Sequence, residues 1–109
     1  MKTNILKLEI ILAYIYMIDL VELMEKHGIH GYTGMEITSS KGVRHGEQRA
    51  ESFMPANKNI YLFSILSSNL LDDFKPALSK FLNTRGGAMI ITEVLETTNV
   101  DVHGEEDQK

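Results

Sequence analysis

The chain contains no cysteine. This absence excludes disulfide scaffolds, thiolate zinc sites, iron–sulfur clusters, CxxC metal carriers and thiol enzymes, and it agrees with a reducing compartment. Basic charge is not in excess either: the formal net charge is −4, and four of the 15 acidic residues lie in the last nine positions. The remainder is close to neutral and lacks the basic surface that nonspecific nucleic-acid binding requires.

Long hydrophobic runs are also missing. In the apolar N-terminal segment the uncharged run covers only residues 10–18, between Glu9 and Asp19. A membrane-spanning helix needs about 20 mostly apolar residues, and a signal peptide needs a cationic start and a small-residue cleavage site. We therefore expect this segment to lie in the core. With 109 residues, the chain has room for one domain, which we place at residues 1–96, followed by a flexible acidic tail at residues 97–109.

The first half of the chain predicts a strand–helix–strand unit. Apolar residues alternate over residues 5–13 and again over residues 32–38, and this period of two is typical of strands. Between them the spacing is helical from Tyr16 to Lys26, and Gly28 occupies the place of a C-terminal capping glycine.

The second half repeats this order. Strands are predicted at residues 60–66 and 88–95, with a helix at residues 72–82 between them. Because proline is tolerated only in the first turn of a helix, Pro76 predicts that this helix starts at Asp72 or Asp73. Residues 39–59 have little apolar periodicity and are expected to form a long connection. The order β-α-β, loop, β-α-β is the ferredoxin-like split-βαβ plan, an α+β fold.

The strands of the second half are apolar on both faces. Tyr61 and Phe63 alternate with Ile60 and Leu62, and residues 88–95 show the same pattern. Two helices cover only one face of such a sheet, so the other face is expected to pack against further copies of the chain. The sequence therefore predicts an oligomer.

Two glycine-rich cationic segments are the best candidates for a functional site. One is residues 39–46, which contain Lys41 and Arg44, and the other is the Arg85-Gly86-Gly87 turn. Glycines let backbone N–H groups approach an anion, and the basic side chains add charge. Because the chain has neither a Walker sequence nor a GxGxxG motif, these residues can also be interpreted as a solvated loop and an ordinary turn without a ligand. His27 and His30 are interpreted as surface histidines rather than metal ligands, since Gly28 breaks the helix between them.

Three short motifs resemble the PII signal-transduction superfamily, in particular its PII-like members of the SbtB-like, bicarbonate-transporter regulator type. They are Gly31-Tyr32-Thr33, the Lys41-Gly42-Val43-Arg44 loop base, and Asn83 to Gly87 before the last strand. The resemblance covers residues 5–95. It implies a homotrimer with a mobile T-loop at about residues 41–58 and an adenine-nucleotide site between subunits.

The resemblance also implies the residues of this site. Those expected to bind the nucleotide are Thr33, Ser39, Ser40, Lys41, Gly42, Arg44, His45, Gly46, Phe63, Arg85, Gly86 and Gly87. Those expected to contact a protein partner are Arg49, Phe53 and Met54, because an exposed Phe-Met pair on a mobile loop has no core to fill. The other interpretation is that Phe53 and Met54 fold back onto the trimer.

The chain departs from ordinary PII proteins in ways that affect the ligand. Ala88 replaces a lysine after the glycine turn, the C-terminal Arg-x-Arg is missing, and the T-loop has no tyrosine. Among AMP, ADP, cyclic AMP and ATP, a mono- or diphosphate is therefore expected, with no obligatory cofactor and no metal.

The function implied is non-enzymatic signalling. A nucleotide, with bicarbonate as a further candidate ligand, would change the T-loop and so regulate a partner, with a bicarbonate or other membrane transporter as the candidate. The expected localisation is cytoplasmic, at the membrane only through that partner. The alternative is a trimeric metal-binding or structural protein of the same fold, of the divalent-ion tolerance type. An acylphosphatase-type enzyme is third, because residues 13–19 lack the arginine and glycine of a phosphate-cradling loop.

Overall fold

Four antiparallel strands form the main sheet of the computed structural model, which describes residues 4–37, 39–42, 46–49 and 58–104, the two short segments by their backbone alone. In chain order the elements are β1 (Ile5–Ala13), a 3₁₀ turn (Tyr14–Tyr16), α1 (Met17–Lys26), β2 (Thr33–Ile37), β3 (Ser39–Gly42), β4 (Gly46–Arg49), β5 (Asn59–Ser67), α2 (Ser68–Arg85) and β6 (Ala88–Glu93). The sheet order is β2-β5-β1-β6, and β3 pairs with β4 in a separate hairpin. The predicted ferredoxin-like α+β plan is confirmed.

The core lies between this sheet and the two helices. Leu8 and Ile10 of β1 and Leu62 of β5 point towards the helices and are completely buried. Phe74 and Leu78 of α2 are equally buried against them. Each such side chain contributes about 1.5–3 kcal/mol relative to an exposed one, so this layer supplies most of the stability of the fold.

The end of α1 agrees with the sequence prediction. Gly28 has a φ of +85°, and its N–H donates to the Glu25 carbonyl at 3.1 Å. The Ile29 N–H donates to the Met24 carbonyl at 2.9 Å, and both of these side chains are buried. This pair of hydrogen bonds is a Schellman motif, closed by an apolar contact.

The predicted start of α2 was wrong. The helix begins at Ser68, and the Ser67 hydroxyl accepts a hydrogen bond from the Leu70 N–H at 3.3 Å as the N-cap. Pro76 consequently lies inside the helix, where a proline costs about 3 kcal/mol. The first two turns carry Leu71 and Phe74 into the core, and burying these two side chains outweighs that cost.

The connection after β2 was also predicted incorrectly in part. Residues 39–49 contain the β3–β4 hairpin, with Ser39 opposite Arg49 and Lys41 opposite Glu47. Its strands are polar, so apolar periodicity does not reveal them. Two glycines that bracket three residues, Gly42 and Gly46, are the hairpin signal in this segment.

No helix or strand of the described residues covers the face of the main sheet opposite α1 and α2, as the two-sided strands predicted. Met35 and Ile90 are 53% and 51% exposed on it. The register places the following residues on this face: Thr33, Met35, Ile37, Tyr61, Phe63, Ile65, Lys7, Glu9, Ile11, Ala88, Ile90 and Thr92. We refer to these residues as the open face.

Candidate functional site

Both glycine-rich cationic segments lie at one end of the sheet. In register, Ile37 at the end of β2 and Ala13 at the end of β1 both pair with Asn59 at the start of β5. Ala88 at the start of β6 pairs with Ile11 of β1. The β3–β4 hairpin and the Gly86-Gly87 turn are therefore attached to the same end of the sheet.

Within one chain, however, the two segments are attached to opposite edges. The hairpin follows β2, the turn precedes β6, and β5 and β1 lie between these strands. Three interstrand spacings of about 4.8 Å separate the edges by about 14 Å. Within a single chain, the strands that carry the hairpin and the turn therefore lie at opposite edges of the sheet.

Lys58, directly before β5, is held by the 3₁₀ turn and by β2. The Tyr14 N–H donates to the Lys58 carbonyl at 2.8 Å, and the Lys58 ammonium lies 3.9 Å from a carboxylate oxygen of Glu36. The Glu36 side chain is 60% exposed, so this ion pair contributes little to stability. The backbone hydrogen bond is the firmer anchor for the point where the chain re-enters the sheet.

The turn before β6 requires glycine. Gly86 has a φ of +86° and Gly87 of +124°. A Cβ at Gly87 would lie 2.8 Å from the Ile11 carbonyl oxygen and 3.0 Å from Leu82, so it would collide with the end of β1. Because residues 86 and 87 are both glycine, the turn has no side chains that cover its backbone groups.

Arg85 provides the positive charge at this turn. Its guanidinium lies 4.0 Å from the Phe81 ring centroid and 6.0 Å from the Tyr16 ring centroid. A cation above aromatic faces is stabilised by their quadrupoles and keeps its charge available to an anion. The sequence singled out Arg85, and the structure adds the two rings that hold it.

Thr33 and Phe63 are direct partners in the β2–β5 register and share the open face. The Lys7 ammonium lies 4.7 Å from the Phe63 ring centroid, and the Tyr61 ring centroid is 6.0 Å away. One face of the Phe63 ring is therefore already in contact with the Lys7 ammonium.

A polar cluster that the sequence analysis missed lies at the centre of the open face. The Tyr61 hydroxyl donates to a carboxylate oxygen of Glu9 at 2.6 Å, and that oxygen is 3.9 Å from the Lys7 ammonium. The hydrogen bond to Glu9, with burial and the Glu9 charge, raises the pKa of Tyr61 to about 12. Fifty-two residues separate Tyr61 from Glu9, so only the pairing of β1 with β5 reveals this contact.

The structure leaves several predicted site residues without a side-chain description. Ser39, Ser40, Lys41, Gly42, Gly46 and Arg49 are placed in the hairpin by their backbone alone, and Arg44, His45, Phe53 and Met54 lie outside the described residues. Their roles remain predictions.

Among the described residues, no three His, Asp or Glu side chains lie close enough together to bind a metal ion. The His27 ring packs against Phe74, with centroids 5.2 Å apart. His27, which was interpreted from the sequence as a surface histidine, is therefore half-buried at the end of α1. Neither α1 nor α2, the helices of the described part, is long and apolar enough to cross a membrane.

Comparison with solved structures identifies the fold. No protein-family model and no curated protein sequence matches the chain. CPII from Thiomonas intermedia K12, a nitrogen regulatory PII-like protein bound to ADP, AMP and bicarbonate, superposes with a TM-score of 0.74 at 23% identity. The match covers 84% of this chain and 86% of that one.

Two further structures share the fold. A PII-like signaling protein from Thermus thermophilus has a TM-score of 0.65 at 23% identity, over 86% of this chain and 91% of that one. CutA from Synechococcus elongatus PCC7942, complexed with Bis-Tris, has a TM-score of 0.66 at 8% identity, over 90% and 87%. The chain therefore has the fold of PII-like regulatory proteins, which it also shares with CutA.

Proposed function

We propose that the protein is a non-enzymatic, PII-like signalling protein that binds an adenine nucleotide between subunits. The observation that carries this proposal is the placement of two glycine-rich cationic segments at the same end of one sheet, on opposite edges. A neighbouring copy that places its hairpin edge beside the β6 edge of this chain would complete one site. The CPII structure, of the same fold, holds ADP, AMP and bicarbonate.

The open face supports the assembly that such a site needs. It exposes Met35 and Ile90, and monomeric proteins rarely leave a whole sheet face of this kind in water. We propose a trimer in which the open faces pack together. The Tyr61–Glu9–Lys7 cluster would then lie inside the assembly, with its hydroxyl and carboxylate already paired.

In the proposed site the phosphates lie at the cationic segments. Arg85, with its guanidinium held over Phe81, provides charge from one copy, and the Gly86-Gly87 turn allows close backbone approach. Lys41 and Arg44 of the neighbouring copy provide the remaining charge, and Thr33 lies on the wall near the base. Few cationic groups are available for phosphate, which favours AMP, ADP or cyclic AMP over ATP.

Signalling follows from differential binding. A nucleotide that binds one arrangement of the hairpin and T-loop more tightly than another shifts the population towards it, and no bond needs to break. A partner that contacts Arg49, Phe53 and Met54 would read this shift. The SbtB-like subtype, a bicarbonate ligand and a transporter partner belong to this proposal and rest on the sequence resemblance.

The test is a calorimetric titration of the purified chain with AMP, ADP, ATP and cyclic AMP, each with and without bicarbonate. We expect micromolar binding of a mono- or diphosphate. Arg44→Glu should weaken it at least about tenfold, because one charge-assisted hydrogen bond contributes about 1.5–3 kcal/mol. Lys26→Glu, the same reversal at the exposed end of α1, is the matched control and should bind normally. Folded protein that binds none of the four nucleotides at millimolar concentration would contradict the proposal and leave the structural or metal-binding alternative.

A further inference from the structure

The chain beyond β6 returns to the sheet at His103. The Ser67 N–H donates to the His103 carbonyl at 2.8 Å, and the His103 N–H donates to the Ile65 carbonyl at 3.0 Å, which forms a parallel bridge opposite Leu66. β2 begins at Thr33 opposite Phe63, so it does not extend along this part of β5. His103 occupies the edge of β5 that β2 leaves uncovered.

The His103 side chain makes the contact specific. Its Nδ1 atom lies 3.2 Å from the Ile65 carbonyl oxygen and 3.5 Å from the Ser64 hydroxyl. Because a carbonyl oxygen can only accept, this geometry requires the hydrogen on Nδ1. The Ser64 hydroxyl in turn donates to the Gly31 carbonyl at 2.8 Å. One connected group of polar atoms thus joins the C-terminal segment to the residues before β2.

The imidazole ring also fills the space above Gly31. A Cβ at Gly31 would lie 2.8 Å from Nε2 and 3.0 Å from Cε1 of His103. The φ of Gly31 is outside the left-handed region, so its backbone conformation is open to alanine. The one obstacle to a side chain at Gly31 among the described atoms is therefore the His103 ring.

We propose that His103 is a positioning residue, which holds residues 31–33 in place beside the proposed nucleotide site. Residues 31 and 32 precede the first paired residue of β2, and the Ser64 hydroxyl and the His103 ring hold Gly31 in place on β5. Through Gly31, the docked C-terminal segment sets the position of Thr33, two residues further on. The effect on ligand affinity rests on the proposed function, whereas the positioning of residues 31–33 does not.

A double-mutant cycle at Gly31 and His103 tests this coupling in the full chain. Gly31→Ala forces the ring to move, and His103→Ala removes the ring while the backbone bridge can remain. If His103 acts through Gly31, each single variant weakens ADP affinity by about fivefold or more, and the double variant is no weaker than either single variant. His30→Ala is the matched control, because His30 is an exposed histidine directly before Gly31, and it should bind ADP normally.

Amide hydrogen exchange provides a readout that needs no ligand. His103→Ala and Gly31→Ala should each speed exchange across residues 29–33, and His30→Ala should not. If wild-type protein binds none of AMP, ADP, ATP and cyclic AMP but His103→Ala still speeds this exchange, the proposed function fails and the positioning role stands. Two results would overturn the positioning role: unchanged exchange across residues 29–33 in His103→Ala, or additive losses of ADP affinity in the double variant.

Discussion

Met35→Lys is the substitution that tests whether the open face is an interface. Met35 lies on β2 and is 53% exposed in the single chain, where its neighbour in register is Tyr61. Lysine has a side chain of similar length and no branching, so it fits the strand without steric conflict. In an isolated chain this change would cost little, since surface substitutions are usually within about 0.5 kcal/mol.

In a trimer the cost is much larger. Full burial of an apolar side chain is worth about 1.5–3 kcal/mol, so burying the exposed half of Met35 is worth about 1 kcal/mol per copy and about 3 kcal/mol per trimer. Loss of that contact alone lowers the association constant by more than about a hundredfold. Burial of the three lysine ammonium groups adds several kcal/mol for each ion to the free-energy cost of forming the trimer.

Light scattering after size-exclusion chromatography measures the outcome. We expect wild type at about 37 kDa, three times the 12.3 kDa chain, and Met35→Lys at the mass of one chain. Ile18→Lys is the matched control, because Ile18 is 70% exposed on α1, in the helical layer, and it should remain a trimer. Monomeric wild type, or a Met35→Lys trimer of unchanged stability, would refute the reasoning.

Three further outcomes follow from particular contacts. Phe74→Ala should lower the free energy of unfolding by about 3–5 kcal/mol in urea titrations, because Phe74 is completely buried, and the exposed neighbour Asp73→Ala should change it little. Pro76→Ala should raise the same free energy by about 1–3 kcal/mol, since it restores a helical N–H donor; an unchanged value would mean that the helix has fully adapted to the proline. Because folding raises the pKa of Tyr61 from 10.0 to about 12, neutral Tyr61 stabilises the fold below pH 10. This contribution to the free energy of unfolding is lost as the pH rises from 10 to 12. One tyrosine should therefore ionise near pH 12 by ultraviolet absorbance, and Glu9→Gln should move that step towards pH 10; a step unmoved by Glu9→Gln would show another cause.

The sequence predicted those features that local patterns determine. Alternation placed β1, β2, β5 and β6 within one or two residues, because apolar side chains recur with a period of two along these strands. Gly28 predicted the end of α1, since a left-handed residue at that position is nearly always glycine. The face that the helices leave open was also predicted, from strands with apolar residues on both sides.

The sequence failed where distant parts of the chain decide the local structure. The rule that places proline in the first turn was applied to Pro76, but burial of Leu71 and Phe74 extends α2 by more than a turn before it. The β3–β4 hairpin was missed because its strands have no apolar face to reveal them.

The same limit applies to the site. Nothing local indicates a partner for His103, because its backbone pairs with residues 36 to 38 positions away. Arg85 was recognised as a cation, and Phe81 lies one helical turn before it on α2, but the contact with Tyr16 depends on how α2 packs against the turn after β1. Short motifs identified the candidate residues, and only the sheet order showed that they lie on opposite edges.

Complementation between two binding-defective variants tests the central claim, that the nucleotide site forms between copies. Lys41→Glu alters the hairpin part of the proposed site and Arg85→Glu alters the turn part, and each variant alone should lose ADP binding. The two are unfolded together in equal amounts, refolded and titrated with ADP by calorimetry. If each site uses the hairpin of one copy and the turn of the next, random assembly restores about a quarter of the sites with wild-type affinity. A mixture that restores no site, although each variant forms trimers, would show that the site lies within one chain and would contradict the account.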